Sequence, residues 1–303
     1  MKPWIRVGVL ALLWGSTFLW TELALRDFPP SQVTFVRSAL GALVLTVACF
    51  AGGRRLPRDR SVWRHIVVGA FLCNALPFLL FSLGQQRVDS GLAGVLNATT
   101  PLWAFAIALA IGAERGGQPA RVGGLLLGFA GTVVIFAPWR GTGSAGGGAL
   151  LILVAAGSYA VAFAYLGRHL VGRGIPTIVL SAAQLIAATG WSLFALPVGG
   201  LTLPRPGGTA LLALVVLGIF ATGLTFHLTY RIIADEGAVN AATVGYLLPP
   251  VSVALGALVL DERPGVRVLV GMGAVLVGVA LTRRRPPVPV PSRSADRARP
   301  LDG

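Results

Sequence analysis

One apolar segment occurs twice in this chain, each time with a proline thirteen residues before a Glu-Arg pair. The two copies cover residues 91–115 and 237–263, and equivalent positions lie 148 residues apart in a chain of 303 residues. This period is far longer than the roughly 20 to 50 residues of a solenoid repeat, so it indicates a duplicated half-protein. Because about 20 apolar residues cross a bilayer, each copy also predicts a membrane-spanning helix.

The composition extends this prediction to the whole chain. Hydrophobic residues make up 55% of the sequence and charged residues 12%, and the mean hydropathy is +0.77, which leaves too little polar surface for a soluble globule. The 40 glycines and 20 prolines are compatible with helices that are packed in a membrane. Cys49 and Cys73 fall inside apolar segments, so we expect buried free thiols that carry no information about redox compartment.

Hydropathy, broken at charged residues and at Gly/Pro clusters, predicts an all-α integral membrane protein with ten spanning helices. A β-barrel would show short alternating segments in place of these continuous runs. The first apolar run continues past Trp14 and Trp20 without a clear cleavage site, so we interpret it as a retained helix. The ten predicted spans are residues 5–25, 31–51, 65–85, 91–113, 119–137, 147–167, 177–197, 209–229, 237–260 and 265–282.

Four regions follow from these spans. Residues 1–138 form a first five-helix repeat, 139–147 a Gly-rich external linker, and 148–282 a second five-helix repeat. Residues 283–303 are predicted to be a disordered basic tail on the cytoplasmic side. Its arginines are expected to lie against anionic lipid, and the net charge of +14 therefore does not indicate a nucleic-acid partner.

Positive charges predict the orientation of the helices. Eighteen Lys and Arg residues lie on the side of the amino terminus and six on the other side, so both termini are predicted to be cytoplasmic. Five spans per half is an odd number, so the second half enters the membrane with inverted topology, as in many secondary transporters. The arginine-rich, lysine-poor composition is typical of a GC-rich bacterial genome and places the chain in a bacterial inner membrane.

Three stretches together resemble one family. LLWGSTFLW at residues 12–20, FVRSALGALVL at 35–45 and the two Pro to Glu-Arg segments are similar to the drug/metabolite transporter superfamily, and specifically to its EamA-type ten-helix members. The resemblance covers the chain to about Thr282. It implies a basket of helices around a central cavity and the export of small metabolites, such as amino acids or related compounds, with drugs as an alternative.

Glu22 and Arg37 are the first candidate site residues, because an ionised group inside a span is costly and usually faces a cavity or a partner. A rise of 1.5 Å per residue places them at similar depth in neighbouring helices. One interpretation is structural: the two residues neutralise each other as an ion pair, or their side chains reach the membrane interface by snorkelling. In the other, Arg37 anchors an anionic substrate group and Glu22 is protonated, which would couple transport to the proton gradient.

Further candidates are uncharged. Gly15, Phe18 and Glu22 share a helix face through i, i+3, i+7 spacing, with Trp14 beside it, and this face is a predicted cavity wall. Gln184 falls within one residue of the repeat counterpart of Arg37. For all of them, bonding between helices or simple packing is the alternative. The predicted substrate-binding residues are Trp14, Glu22, Arg37, Asn97, Tyr159, Gln184, His227 and Tyr246.

Two prolines are candidate hinges. Pro101 has no N–H to donate to the carbonyl of Asn97, and Pro249 none for that of Gly245, so both helices are expected to kink and leave an acceptor open. In a transporter such breaks mark hinges or binding positions. A static kink absorbed by packing is the alternative.

These features favour a secondary active transporter that works by alternating access. A membrane enzyme is disfavoured, since the sequence contains no HExxH motif and no paired intramembrane aspartates, and a channel or scaffold is the other alternative. No cofactor and no metal are expected. The expected partners are a small-molecule substrate, membrane lipids and, if Glu22 titrates, protons. Both a monomer and a homodimer fit the sequence.

Overall fold

The structure of the chain is a computed structural model, and the part that it describes consists of helices and the loops that connect them. No strand occurs in the described part of the chain. The described residues are 3–88, 93, 96–112, 119–136, 146–199, 206–248, 250–251 and 265–282.

Twelve α-helices, two π-helical segments and two 3₁₀ segments make up the described fold. The α-helices are α1 (Pro3–Leu25), α2 (Pro30–Ala51), α3 (Arg60–Ala70), α4 (Leu76–Gly84), α5 (Thr100–Ala110), α6 (Pro119–Phe136), α7 (Gly146–His169), α8 (Thr177–Ala195), α9 (Gly208–Gly218), α10 (Thr225–Glu236), α11 (Ala238–Thr243) and α12 (Val266–Thr282). The π segments are π1 (Phe71–Ala75) and π2 (Ile219–Leu224), and the 3₁₀ segments are Leu196–Gly199 and Val244–Leu247.

Among the described residues, six helical runs are long and apolar enough to cross a membrane, so the protein is a multi-pass membrane protein. Two of them are composite, because α3, π1 and α4 form one continuous run and α9, π2 and α10 form another. The helices α5, α6 and α12 are apolar but shorter. The predicted span 91–113 is a described helix only over Thr100–Ala110, and the predicted span 237–260 begins with α11 and a 3₁₀ segment. The six runs are Trp4–Leu25, Pro30–Ala51, Arg60–Gly84, Gly147–His169, Thr177–Ala195 and Gly208–Glu236.

Local chemistry sets several of the helix ends. Pro30 opens α2, where its missing N–H costs no helical hydrogen bond. The side chain of Asp59 accepts a hydrogen bond from the backbone N–H of Ser61 and so caps α3. Gly237 has a φ of +88°, which lets the chain turn sharply between α10 and α11.

Contacts between helix ends define the two sides of the bundle. We call the side at which α1 begins the terminal side and the side at which it ends the far side. On the far side, the Asp27 carboxylate accepts a hydrogen bond of 2.8 Å from the N–H of Gly207, directly before α9. On the terminal side, Arg6 forms an ion pair with Asp235 near the end of α10. The run α9–π2–α10 therefore crosses from the far side to the terminal side, opposite to α1.

The two π segments begin 148 residues apart, at Phe71 and Ile219, which is the spacing of the sequence repeat. A π turn leaves carbonyl groups outside the regular α-helical pattern. Here hydroxyl groups satisfy two of them, since Ser158 donates to the carbonyl of Leu72 at 2.6 Å and Thr222 donates to that of Leu217 at 2.8 Å. Each half of the chain thus carries one π segment at the same register.

Glycines bring α6 and α12 into direct backbone contact. A Cβ atom on Gly278 would lie 2.6 Å from the carbonyl oxygen of Gly124, and one on Gly131 would lie 2.7 Å from that of Gly271. The earlier glycine of α6 thus meets the later glycine of α12, and the later one of α6 meets the earlier one of α12, so the two helices run antiparallel. Small residues at such contacts allow the close packing typical of helices in membranes.

The main hydrophobic core joins α1, α2, α3, α7, α8 and α10, and much of it lies on the terminal side. Val7, Leu166 and Ile233, from three of these helices, are each at most 3% exposed. Cys49 and Cys73 are buried free thiols in this core, which confirms that prediction. The bundle is therefore closed on the terminal side by packed apolar side chains.

Candidate functional site

A central cavity lies among α1, α2, α4, α5, α7, α10 and α11. It holds about 730 Å³ of space free of protein atoms, part of which is open to solvent. It reaches toward the far side, because Gln85 directly follows α4 and Thr21 lies close to the end of α1. The lining residues are Trp14, Thr17, Phe18, Thr21, Arg37, Phe78, Phe81, Gln85, Asn97, Thr100, Tyr159, Phe163, Ala221, Phe226, Ala242, Gly245 and Leu248.

Arg37 is held in this cavity by one hydrogen bond and one aromatic ring. Its Nε donates to the hydroxyl oxygen of Thr222 at 3.1 Å, and its guanidinium carbon lies 3.7 Å from the centre of the Phe78 ring. The side chain is only 5% exposed. A guanidinium packed on an aromatic face is favourable and fixes the plane of the group. The two terminal nitrogens of Arg37 are thereby left to the cavity.

No protein carboxylate neutralises Arg37 within the described part of the chain. It is the one charged residue among the described lining residues. The ion pair found in the described part of the chain joins Arg6 to Asp235, away from the cavity. Burying a cation without a partner is costly, so the site is poised to accept an anion. The guanidinium offers parallel N–H donors that match the two oxygens of a carboxylate.

Aromatic rings form a large part of the remaining wall. Trp14 stacks with Phe163 at 6.3 Å between ring centres, and Tyr159 contacts both Phe163 and Phe81 at 6.2 and 6.0 Å. Phe18 closes the series against Phe81 at 6.1 Å. Such pairs lie in the preferred distance range for aromatic contacts, so they form a rigid apolar surface facing the guanidinium.

The predicted face of α1 is wrong by one position. The lining residues of this helix are Trp14, Thr17, Phe18 and Thr21, which follow i, i+3, i+4, i+7 spacing. Gly15 lies off this face, since a Cβ atom there would be 2.7 Å from the side chain of Val251. Each residue turns the helix by about 100°, so an error of one residue moves a side chain out of the cavity.

Glu22 lies on the same displaced face and does not line the cavity. Its side chain is exposed, and it makes no ion pair with Arg37. The structure therefore does not contain the ion pair that was one of the alternatives for these two residues. The side chain of Arg37 lines the cavity, whereas that of Glu22 is exposed.

Gln184 is buried in a separate polar cluster. Its Nε2 donates to Asn74 Oδ1 at 2.6 Å, its Oε1 accepts a hydrogen bond from the hydroxyl of Tyr230, and the thiol of Cys73 lies within hydrogen-bonding reach. All four residues are at most 1% exposed. The structure thus supports the interpretation that this amide bonds between helices.

His227 and Tyr246 also lie away from the cavity. His227 is half-buried within electrostatic reach of Arg54 and Arg231 on the terminal side. Tyr246 is fully buried and packs against α6 and α12, where a Cβ atom on Gly128 would lie 2.9 Å from its ring. Its neighbour Gly245 faces the cavity instead.

Pro101 stands in the first turn of α5, where it interrupts no helical hydrogen bond. The helix is broken just before it, and the carbonyl of Asn97 accepts a hydrogen bond of 2.7 Å from the hydroxyl of Thr100. The acceptor predicted to be open is therefore occupied. Asn97 lines the cavity, as predicted from its sequence position. Pro249, the second predicted hinge, lies outside the described residues.

Thr222 and Phe78, which hold the guanidinium of Arg37, are two of the residues around the site that the sequence did not suggest. Thr222 lies in π2 and Phe78 follows π1, so both positions depend on where the helix register shifts. The repeat gives one usable signal, since Phe78 and Phe226 are 148 residues apart and both line the cavity. A search for equal residues at equal repeat positions would have found this pair.

Comparison with known proteins identifies the family. The model of the EamA-like transporter family matches this chain twice, over residues 3–137 and 146–284. The chain belongs to the EamA-like transporter family. The resemblance inferred from the three sequence stretches is thereby confirmed.

Relatives of this EamA-like transporter are named as transporters. An uncharacterized transporter of Archaeoglobus fulgidus is 26% identical over 287 residues, which cover 94% of this chain and 100% of the relative. The uncharacterized inner membrane transporter YedA of Escherichia coli K12 is 24% identical, with 90% of this chain and 87% of that protein covered. The uncharacterized transporter YdfC of Bacillus subtilis is 25% identical, over 88% and 85%.

A solved crystal structure has the same fold as this EamA-like transporter. It aligns with a TM-score of 0.76 over 91% of this chain and 94% of that chain, at 23% identity. This likeness concerns the fold alone. Family and relatives indicate a transporter, while the substrate has to be inferred from the cavity.

Proposed function

We propose that this EamA-like transporter is a secondary active exporter of small organic anions, and that Arg37 binds the anionic group of the substrate. The observation that carries the proposal is the buried guanidinium of Arg37, which has no carboxylate partner among the described residues and lines the central cavity. A carboxylate-bearing metabolite, such as an amino acid derivative or a related acid, would supply the missing charge.

The rest of the cavity favours a substrate with an apolar body. Seven of the lining residues are aromatic, and they surround the cavity next to the guanidinium of Arg37. Thr17, Thr21, Asn97 and Thr100 add neutral hydrogen-bonding groups toward the far side.

The proposed architecture is ten helices in two inverted five-helix repeats, with residues 1–138 and 148–282 as the halves. The double family match and the 148-residue spacing of π1 and π2 support the duplication. The opposite directions of the runs α3–π1–α4 and α9–π2–α10 support the inversion. A site between inverted halves is typical of transporters that alternate access.

The proposed orientation puts both termini in the cytoplasm. The terminal side carries the excess of Lys and Arg in the sequence. The far side is then external, so the described cavity corresponds to the state that releases an exported substrate. A return step with the opposite side open completes the cycle.

Counterflow in proteoliposomes tests the proposed function. Purified full-length protein is loaded with candidate carboxylates, and uptake of the same labelled compound is compared with that of its uncharged amide. We expect saturable uptake, accelerated by internal substrate, for the acid and not for the amide. Uptake that does not saturate would contradict a transporter in favour of a channel, and equal uptake of acid and amide would contradict the role of Arg37.

Glu22 provides a second test, of the coupling mechanism. The exposed side chain of Glu22 lies outside the cavity and away from Arg37, so replacing it with glutamine is expected to change the transport rate less than twofold at every pH. Counterflow is measured between pH 5 and 8 for the unmodified protein and for Glu22→Gln. Loss of the pH dependence in Glu22→Gln would restore Glu22 as the proton-coupling group.

A further inference from the structure

The hydrogen bond that orients Arg37 has a counterpart elsewhere in the protein. Arg37 of α2 binds Thr222 of π2 at 3.1 Å, and Gln184 of α8 binds Asn74 of π1 at 2.6 Å. Gln184 follows Arg37 by 147 residues, and Thr222 follows Asn74 by 148. Each pair thus joins a helix of one half to the π segment of the other half, at equivalent repeat positions.

The two pairs differ in their access to solvent. Arg37 lines the cavity, whereas Gln184 and Asn74 are both fully buried. The hydroxyl of Tyr230 donates to Gln184 and covers it. The repeat counterpart of Tyr230 is Ser82, 148 residues earlier, whose buried hydroxyl has no hydrogen-bond partner among the described residues. Arg37 thus borders a space that a ligand can enter, whereas Gln184 is covered by Tyr230.

We propose that Gln184, Asn74 and Tyr230 form a second substrate half-site, which is uncovered when the terminal side opens. This inference rests on the proposed transport function. Two related halves that exchange conformations would convert the environment of Gln184 into the one that Arg37 has now. Asn74 Nδ2 is buried and makes no hydrogen bond in the described residues, so it is a donor ready for a substrate oxygen.

The half-site is neutral, and this has a chemical consequence. Amide and hydroxyl donors hydrogen-bond a carboxylate, but they do not supply the charge of a guanidinium. The anion is therefore held more weakly at Gln184 than at Arg37. Affinity for the anion is expected to differ between the two faces of the membrane, with the weaker binding on the terminal side.

The ion pair between Arg6 and Asp235 closes the path to this half-site. It joins α1 to α10 on the terminal side, directly beyond the core that contains Val7, Tyr230 and Ile233. The side chain of Asp235 is 50% exposed, while that of Arg6 is 6% exposed. Removing the carboxylate would leave the Arg6 cation buried without its partner, which favours opening of this end.

Cys73 is a natural reporter for the opening, because its thiol is fully buried beside Gln184. In a Cys49→Ser variant it is the one thiol of the chain. Inside-out membrane vesicles are treated with a membrane-impermeant methanethiosulfonate, and the rate of Cys73 modification is followed. We expect Asp235→Asn to raise this rate at least tenfold. Glu22→Gln, which removes the same charge from an exposed position, is the matched control and should leave the rate unchanged.

A second reporter separates opening from loosening. Thr21→Cys, in a chain without the two natural cysteines, places a thiol on the far-side part of the cavity. With reagent added to right-side-out vesicles, Asp235→Asn is expected to slow its modification, because opening one side closes the other. An unchanged Cys73 rate would overturn the proposal, and so would faster modification at both reporters, which indicates loss of packing.

The outcome is independent of the proposed substrate class, because no substrate is added. Counterflow is measured in parallel on the Cys49→Ser protein. If a carboxylate shows counterflow but Cys73 is never modified, the proposed half-site is contradicted and the proposed transport function stands. Reciprocal modification without counterflow of any carboxylate would support the half-site and contradict the proposed substrate.

Discussion

Replacing Arg37 with alanine is expected to lower kcat/KM for the transported anion by at least about 30-fold. Truncating one partner of a buried, hydrogen-bonded charge pair costs about 2 to 5 kcal/mol, and each 1.4 kcal/mol is a factor of ten. Arg37 is 5% exposed and is the one charged group among the described lining residues, so no neighbour replaces it. The measurement is counterflow of the carboxylate that is transported fastest by the unmodified protein.

Two further variants make the Arg37 result specific. Arg37→Lys keeps the charge but loses the paired donors and the flat contact with Phe78, so an intermediate loss is expected. Arg26→Ala removes an exposed arginine at the far-side end of α1 and should leave transport unchanged. Equal activity of Arg37→Ala and the unmodified protein, at equal amounts in the membrane, would exclude Arg37 from substrate binding.

Replacing Gly278 with alanine is expected to lower the free energy of unfolding by about 3 kcal/mol, the upper end of the usual cost of overpacking. The added methyl group would lie 2.6 Å from both the carbonyl oxygen of Gly124 and the backbone nitrogen of Gly128. Backbone atoms cannot move aside as a flexible side chain does, so α6 and α12 must separate. The apparent melting temperature of the purified protein in detergent measures the effect.

Gly273 offers a matched control on the same helix. A Cβ atom at Gly273 would meet nothing within 4 Å, and the residue is exposed on the outside of the bundle. Gly273→Ala is therefore expected to keep or slightly raise the melting temperature, because alanine favours a helix over glycine. Equal melting of the Gly278 and Gly273 variants would contradict the proposed tight contact between α6 and α12.

The general nature of this protein could be predicted from the sequence, because its signals are long and redundant. Continuous apolar runs predict helices in a membrane whatever the details of packing. The 148-residue repeat, found first in the Glu-Arg segments, reappears in the structure as the spacing of π1 and π2. Four of the candidate residues, Trp14, Arg37, Asn97 and Tyr159, line the cavity.

The finer placement of side chains was not predictable, because it depends on the rotation of each helix. Glu22 and Tyr246 each follow a lining residue directly in the sequence. The rotation of about 100° about the helix axis between successive residues turns their side chains away from the cavity. In an apolar environment the usual alternation of polar and apolar residues does not mark the inner face. His227 shows the same difficulty. It is a polar residue within a span, but its side chain lies near Arg54 and Arg231 on the terminal side and not in the cavity.

The π segments explain why Thr222 was missed. Their sequences, FLCNA in π1 and IFATGL in π2, are apolar and carry no proline or other mark of an irregular helix. A π turn contains one more residue than an α-helical turn. All side chains after it are therefore rotated about the helix axis relative to their positions in an ideal α-helix. The relation between Thr222 and Arg37 therefore appears only when the helices are packed together.

The contact between Phe78 and Phe226 bears on how such a protein arose and how it is tuned. The two rings meet edge to face at 6.0 Å, and the residues are 148 positions apart, so each ring touches its own repeat counterpart. In a dimer of single ancestral halves this would have been one residue meeting its copy on the symmetry axis. In this chain the two rings are no longer equivalent, because Phe78 also packs on the guanidinium of Arg37, so a substitution of Phe78 changes the site as well as the contact between the two repeat counterparts.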